Sequence, residues 1–273
     1  MDNLPKFLCG GIAAGEWPGM NRKKFAEALY LSKCNNIVLE AMAPAYDKSE
    51  DGYNDKNLDQ IYTELVNFIK PILEFDELWV TLHLTNGNDE TITRFGAQNI
   101  CDKVVGRLIR EVGTNRIILC PIAENSNEPN EKVLVDYCIR EWVGNGGHLI
   151  FNGTGKPGYV PPGYSMIDYH TQNPADVGPS IYSMASAVLI DTDNGPIINW
   201  VRDGAPAGKY WNPDRVRDLA TRCKNRGSGL NLYAVHTYET EKYALDIMGA
   251  IYDVRKKPTW IERLIMKYKL SRY

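Results

Sequence analysis

The sequence predicts a single (β/α)₈ barrel, and three observations lead there. Short apolar runs alternate with longer stretches of helical periodicity along the whole chain. Several of the short runs, such as Ile37-Val38-Leu39 and Ala187-Val188-Leu189-Ile190, are continuously apolar and β-branched, the pattern of a parallel strand covered on both faces. The 273 residues show no linker, fixed-period repeat or low-complexity segment, and barrels of about 250 residues fold as one unit.

The eight strand candidates in order are Phe7–Ile12, Ile37–Ala43, Leu78–Leu84, Arg116–Ala123, His148–Phe151, Ser165–Tyr169, Ala187–Ile190 and Leu230–Val235. Helical spacing recurs over Asn21–Ser32, Asn57–Phe75, Asp89–Val112, Pro129–Asn145, Pro213–Asn225 and Glu241–Val254. Gly113 closes one helix, and Gly144, Gly146 and Gly147 punctuate the approach to the fifth strand. The connection Asn152–Tyr164 is rich in Gly and Pro and carries no helix, and a short helix is expected near Asp176–Ala185. An open nucleotide-binding sheet is disfavoured because no G-x-G-x-x-G follows the first strand.

Composition narrows the function. Apolar residues make up 44% and charged residues 24%, with a net charge of −3, so no basic stripe invites a nucleic acid. No run is long enough to span a bilayer and no signal peptide opens the chain, so the expectation is cytoplasmic synthesis, with a virion-associated or released form also compatible. Cys9, Cys34, Cys101, Cys120, Cys138 and Cys223 have neither metal-ligand nor disulfide-framework spacing and are expected to be unpaired.

In a barrel of this kind chemistry sits where the strands end at their carboxyl side. Trp17 follows strand one, Glu40 lies in strand two, and His83 and Asn86 come with strand three. Glu124, Asn125 and Glu128 follow strand four, Asn152 strand five, and Asp168 and His170 strand six. Asp191 and Asp193 follow strand seven, with His236 and Tyr238 at the end of strand eight. Three of the four histidines thus fall at strand ends, and only His148 opens a strand. Each rim histidine also has a plain structural reading as a hydrogen-bonding group, and Glu40 has one as a partner inside the barrel. The long loop Asn194–Asn212 carries Trp200, Tyr210 and Trp211, flat side chains of the kind on which sugar rings stack; Trp17, Tyr159 and Tyr164 add to these.

Carboxylates at the tips of strands four and seven form the strongest constellation, because glycoside hydrolysis needs two carboxyl groups flanking one bond. The stretch Ile118-Leu119-Cys120-Pro121-Ile122-Ala123-Glu124-Asn125-Ser126-Asn127-Glu128-Pro129 resembles the end of strand four in the (β/α)₈ glycoside hydrolase superfamily that includes the cellulase-like enzymes. There an Asn-Glu pair supplies the acid/base. Strand length favours Glu124, with Ala123 in the usual Asn place; Asn127-Glu128-Pro129 matches the motif but lies four residues further on, where Glu and Pro also suit the start of a helix. Asp191-Thr192-Asp193-Asn194 resembles a strand-seven motif of the same superfamily, with Asp where a nucleophilic Glu is usual.

The resemblance implies a cofactor-free hydrolase acting on a polysaccharide or oligosaccharide, with Glu124 or Glu128 and Asp191 or Asp193 as the catalytic carboxylates. His83, Asn86, Asn125, His170, Trp200, Trp211, His236 and Tyr238 would bind substrate. The alternative is a barrel that binds glycan without cleaving it. A metal-dependent hydrolase ranks lower, since no H-x-H follows strand one and no H-E-x-x-H occurs; G-x-S-x-G and a P-loop are also missing.

Residues 256–273 stand apart from the barrel at 1–255. They carry six basic residues against Glu262 alone, and Trp260, Ile261, Leu264, Ile265 and Tyr268 recur at helical spacing. A helix that buries Trp260, Leu264 and Ile265 on the barrel is expected; the other reading is a docking helix for a protein partner or an anionic surface.

Overall fold

The computed structural model describes residues 4–5, 8–13, 17–32, 34–46, 52–86, 90–123, 129–152, 161–171, 183–187, 190–191, 195–196, 221, 229–232 and 259–273. Residues 9–13, 32, 86, 90, 152, 167–171, 183–187, 190–191, 195–196 and 229–232 are described by their backbone alone. The expected helices Pro213–Asn225 (Thr221 apart) and Glu241–Val254 lie outside the described residues.

Ten strands are present among them: β1 (Cys9–Ala13), β2 (Asn36–Glu40), β3 (Trp79–Asn86), β4 (Ile117–Ala123), β5 (His148–Asn152), β6 (Met166–Thr171), β7 (Ser183–Ala187), β8 (Ile190–Asp191), β9 (Gly195–Pro196) and β10 (Gly229–Leu232). Eight of them close into a barrel in the order β1-β10-β7-β6-β5-β4-β3-β2, and every pairing around it is parallel. Closure leaves the barrel itself without an unpaired edge. The expected closed barrel of eight parallel strands is therefore the observed one.

Strand seven departs from expectation. The sequence predicts a strand at the apolar run Ala187–Ile190 and a helix near Asp176–Ala185, yet the barrel strand is Ser183–Ala187. It pairs with β6 from Ile167↔Ser183 to Thr171↔Ala187, and with β10 from Gly229↔Met184 to Leu232↔Ala187. The small residues of Ser-Met-Ala-Ser-Ala give little strand signal of their own, so pairing on both sides decides their state. Ile190–Asp191 instead forms a two-residue antiparallel ladder with Gly195–Pro196.

The described helices are α1 (Arg22–Ser32), α2 (Leu58–Leu73), α3 (Glu90–Phe95), α4 (Ala97–Ile100), α5 (Gly106–Glu111), α6 (Pro129–Tyr137) and α7 (Trp260–Leu270). Helix α2 starts at a capping box: Asn57 Oδ1 accepts from the N–H groups of Asp59 and Gln60, and Gln60 Oε1 accepts from the Asn57 N–H. Its Ile61, Leu65, Phe68, Ile69 and Ile72 are all buried. The single helix expected over Asp89–Val112 is broken at Gly96, whose φ of +79° is a left-handed conformation that glycine adopts without steric cost. Wide π turns at Cys101–Val105 and Cys138–Trp142 continue the helices begun by α4 and α6.

Strand alternation sorts the core into two layers. Ile37 and Leu39 of β2, Val80, Leu82 and Leu84 of β3, and Ile117 and Leu119 of β4 pack outward with the helix residues. Inside the barrel, Trp79, Ile118, Cys120, Ile150 and Met166 cluster with Leu8. The interior also holds a buried polar pair, with the Thr81 hydroxyl donating to Asn36 Oδ1 at 3.0 Å. Cys34, Cys101, Cys120 and Cys138 are buried and outside any disulfide, as expected; the side chains of Cys9 and Cys223 lie outside the described residues. Burial, and then Asp102 nearby, push the Cys101 thiol up to about 12.

Helix α7 forms from the tail, but with the opposite face inward. Met266 and Leu270 are buried, while Trp260 is 73%, Leu264 59% and Ile265 42% exposed. The helix carries two apolar stripes, and the periodicity does not say which one docks. The choice follows from polar anchors: Lys269 Nζ donates to the Glu74 carbonyl at 2.6 Å, the Tyr273 hydroxyl to Glu74 Oε1 at 2.7 Å, and Arg22 to the Tyr273 carbonyl at 3.1 Å.

His148, at the start of β5, has its ring centroid 6.2 Å from that of Trp79. Burial holds its pKa below the ordinary 6.5, so the folded protein binds this proton less readily than the unfolded chain. The resulting stability is present above pH 6.5 and is lost as pH falls through the lower folded value. Melting curves at stepped pH should therefore show His148→Gln with a flatter acid decline than the wild type. Parallel declines would show that another group carries it.

Candidate functional site

The carboxyl rim is built on β2, β3 and β4, where side chains are described. Glu40 is the last residue of β2 and pairs in register with His83, which pairs in turn with Cys120. Since Ile37 and Leu39 face the helices, alternation turns Glu40 inward. Likewise His83, flanked by outward Leu82 and Leu84, faces the barrel interior. A carboxylate and an imidazole thus sit side by side on adjacent strands at the barrel mouth. His83 is buried at 6% exposure, and Glu40 is half-buried. At about 3.3 Å per residue, this level lies roughly 10 Å below Ala123, the last residue of β4. The sequence marked both residues separately; their pairing needed the register, which alternation within one strand does not supply.

The surrounding wall is held by directed bonds. Trp17 Nε1 donates to the Glu40 carbonyl at 2.8 Å, and Trp17 itself is buried against Phe68. Trp17, considered as a sugar-stacking aromatic, is therefore a packing residue that pins the segment after β1 to the end of β2. The guanidinium of Arg94 donates to the carbonyls of Asn54 at 2.6 Å and Lys56 at 2.8 Å, and lies over the Tyr53 and Phe95 rings. Tyr53 stacks on Tyr46 with centroids 5.2 Å apart, and the Asn54 side-chain amide donates to the carbonyls of Pro44 and Tyr46. These bonds fix the backbone between β2 and α2. A cavity of about 650 Å³ opens beside it, lined by Trp17, Met20, Tyr46, Asn54, Lys56 and Phe68 among others. Tyr164 packs edge-on against Phe151 with centroids 5.3 Å apart and is half-buried, again a packing role.

Of the remaining sequence-derived site residues, Asn86 pairs by its backbone with Ala123, and His170 with Ser186 of β7. Asp191 stands on the β8–β9 ladder, four residues beyond the end of β7, whereas the sequence places it directly after the barrel strand. Glu124, Asn125, Glu128, Asp193, Trp200, Trp211, His236, Tyr238 and Tyr159 lie outside the described residues. Around the closed barrel β4 and β7 are three positions apart, so their tips lie on different sides of the mouth, while β10 is the strand diametrically opposite β4. Among the described residues no group of three or more His, Cys, Asp or Glu side chains is arranged to hold a metal ion, and no helix is long and apolar enough to cross a membrane.

No protein-family model matches this chain, and no curated protein matches it. Solved structures do. A tri-modular family 5 (subfamily 4) endo-β-1,4-glucanase from Bacillus licheniformis superposes with a TM-score of 0.54 at 11% identity, covering 92% of this chain and 60% of that longer one. A broad-specificity endoglucanase from Bacteroides salanitronis gives 0.51 at 12% identity, covering 90% and 92% of the two chains. Another, from an uncultured bacterium, gives 0.51 at 8% identity, covering 86% and 85%. The chain is therefore built on the barrel fold of the cellulase-like family 5 glycoside hydrolases, and at these identities the likeness is one of fold.

Proposed function

We propose that this barrel is a glycoside hydrolase that cleaves a polysaccharide or oligosaccharide with a pair of carboxylates carried after strands four and seven. The observation behind this reading is the closed parallel barrel whose β4 ends at Ala123, one residue before Glu124. Glu124, with Glu128 as the alternative, donates a proton to the leaving glycosidic oxygen. Asp191 or Asp193 attacks the anomeric carbon or activates a water molecule. The first course needs carboxyl groups about 5–5.5 Å apart and the second about 6.5–9.5 Å. His83 contributes to the floor of the site, and Asn86, Asn125, His170, His236 and Tyr238 hydrogen-bond the sugar. Trp200 or Trp211 offers the flat face on which a ring stacks.

The endoglucanase neighbours support a β-linked glucan as the first substrate class to try. Purified protein incubated with β-1,4-glucan and mixed-linkage β-glucan should release new reducing ends, whereas an α-linked glucan should not yield them. Failure to release sugar from any polysaccharide in a broad panel would sink the hydrolase reading. Retention on an insoluble glucan without cleavage would support a glycan-binding barrel in its place. The position of Asp191 beyond β7, off the barrel strand, is the feature that favours this second reading.

A further inference from the structure

Helix α7 exposes five large apolar side chains: Trp260 at 73%, Tyr268 at 67%, Leu264 at 59%, Ile261 at 50% and Ile265 at 42%. At 3.6 residues per turn they occupy one arc of roughly 140°, and Met266 and Leu270, which dock on the body, lie on the opposite side of the helix. The apolar stripe thus lies on the side of the helix away from the described core on which Met266 and Leu270 dock. Two exposed cations, Arg263 and Lys267, border it, and Lys256 and Lys257 precede the helix in sequence. The helix is also firmly made: Thr259 and Glu262 form a capping box, and Arg272 reaches Glu74 at 3.5 Å in addition to the Lys269 and Tyr273 anchors.

Charge selects the occupant. Residues 256–273 hold six basic residues and one acidic one, while residues 1–255 hold 25 basic against 33 acidic. A second copy meeting this stripe through its own would bring two strongly basic segments together, which opposes a symmetric contact. An anionic lipid surface complements both features at once. It takes the apolar arc into the boundary between headgroups and acyl chains, and it neutralises the flanking Lys and Arg. Trp260 and Tyr268 are the side chains that favour that boundary.

We propose that α7 is an interfacial helix that docks the barrel onto an anionic lipid surface. Its anchor, the α2–β3 turn at Glu74, lies at the amino end of the strands, so the carboxyl rim with Glu40 and His83 is at the barrel's other end.

The test is co-sedimentation of the full chain with vesicles of phosphatidylcholine mixed with phosphatidylglycerol, against phosphatidylcholine alone. The expected result is partition onto the mixed vesicles only, weakened by salt. The double variant Trp260→Ser/Leu264→Ser should partition about tenfold less or worse, with an unchanged melting temperature because both side chains are more than half exposed. Arg263→Glu/Lys267→Glu should lose binding as well, through charge alone. Absence of binding to the mixed vesicles overturns the proposal, as does binding that neither variant weakens. A concentration-dependent dimer that Trp260→Ser/Leu264→Ser dissolves would overturn it in favour of a contact between copies.

Discussion

Glu124→Gln is expected to lower the rate of glycan hydrolysis by roughly 10²–10⁴-fold while leaving glycan binding nearly unchanged. The amide keeps the shape of the side chain but has no proton to give the leaving oxygen, so the loss falls on kcat. Asp191→Asn and Asp193→Asn separate the strand-seven candidates in the same way: the one that serves as nucleophile or base loses activity on a comparable scale, and the other retains it. Glu128→Gln discriminates the two registers of strand four. If Glu124→Gln is fully active and Glu128→Gln is dead, the motif register holds; if both retain full activity, the carboxylate mechanism at strand four falls. Initial rates with soluble β-glucan, together with affinity electrophoresis for binding, measure both halves.

The largest effect on stability is expected at Gly147, the residue before β5. A Cβ built there would collide with Nε1 and Cδ1 of the Trp142 indole, which is fully buried. The two residues are also joined by the Gly147 N–H donating to the Trp142 carbonyl at 2.9 Å, so the backbone cannot retreat without breaking that bond. Gly147→Ala should therefore cost about 3 kcal/mol, the upper end of ordinary overpacking. Trp142→Leu alone should also destabilise, by roughly 3 kcal/mol or somewhat less, since it empties part of a buried ring's volume. In the double variant the methyl group enters the space the indole leaves, so the combined loss should be well short of the sum. Urea denaturation of the four proteins gives the cycle. Strictly additive losses would show that the methyl is accommodated elsewhere.

The sequence read most of the barrel correctly because its central strands are unambiguous. Ile37–Leu39 and Ile117–Ile122 are apolar along their whole length, while Val80–Leu84 is apolar on its helix-facing side and turns the buried Thr81 and His83 inward; runs of this kind belong to parallel strands covered on both faces. Gly113 and the glycines around 144–147 marked element ends through local chemistry, which needs no partner in the fold. At the site, the polar residues after each strand were visible in sequence for the same reason: they interrupt an apolar run.

Three features were decided by tertiary structure. Ser183–Ala187 is a strand because β6 and β10 pair with it from both sides, a gain that no property of four small residues and Met184 announces. Glu40 and His83 meet because β2 and β3 share a particular register, and a shift of one residue would have turned one of them to the helices. The tail is a helix by its own pattern. Yet which of its two apolar stripes is buried depended on Glu74 and Arg22, nearly 200 residues or more away along the chain, offering hydrogen-bond partners to Lys269 and Tyr273. Periodicity and capping are local and so are written in the chain; register, and the choice of which face of a helix docks, exist only between elements once they have come together.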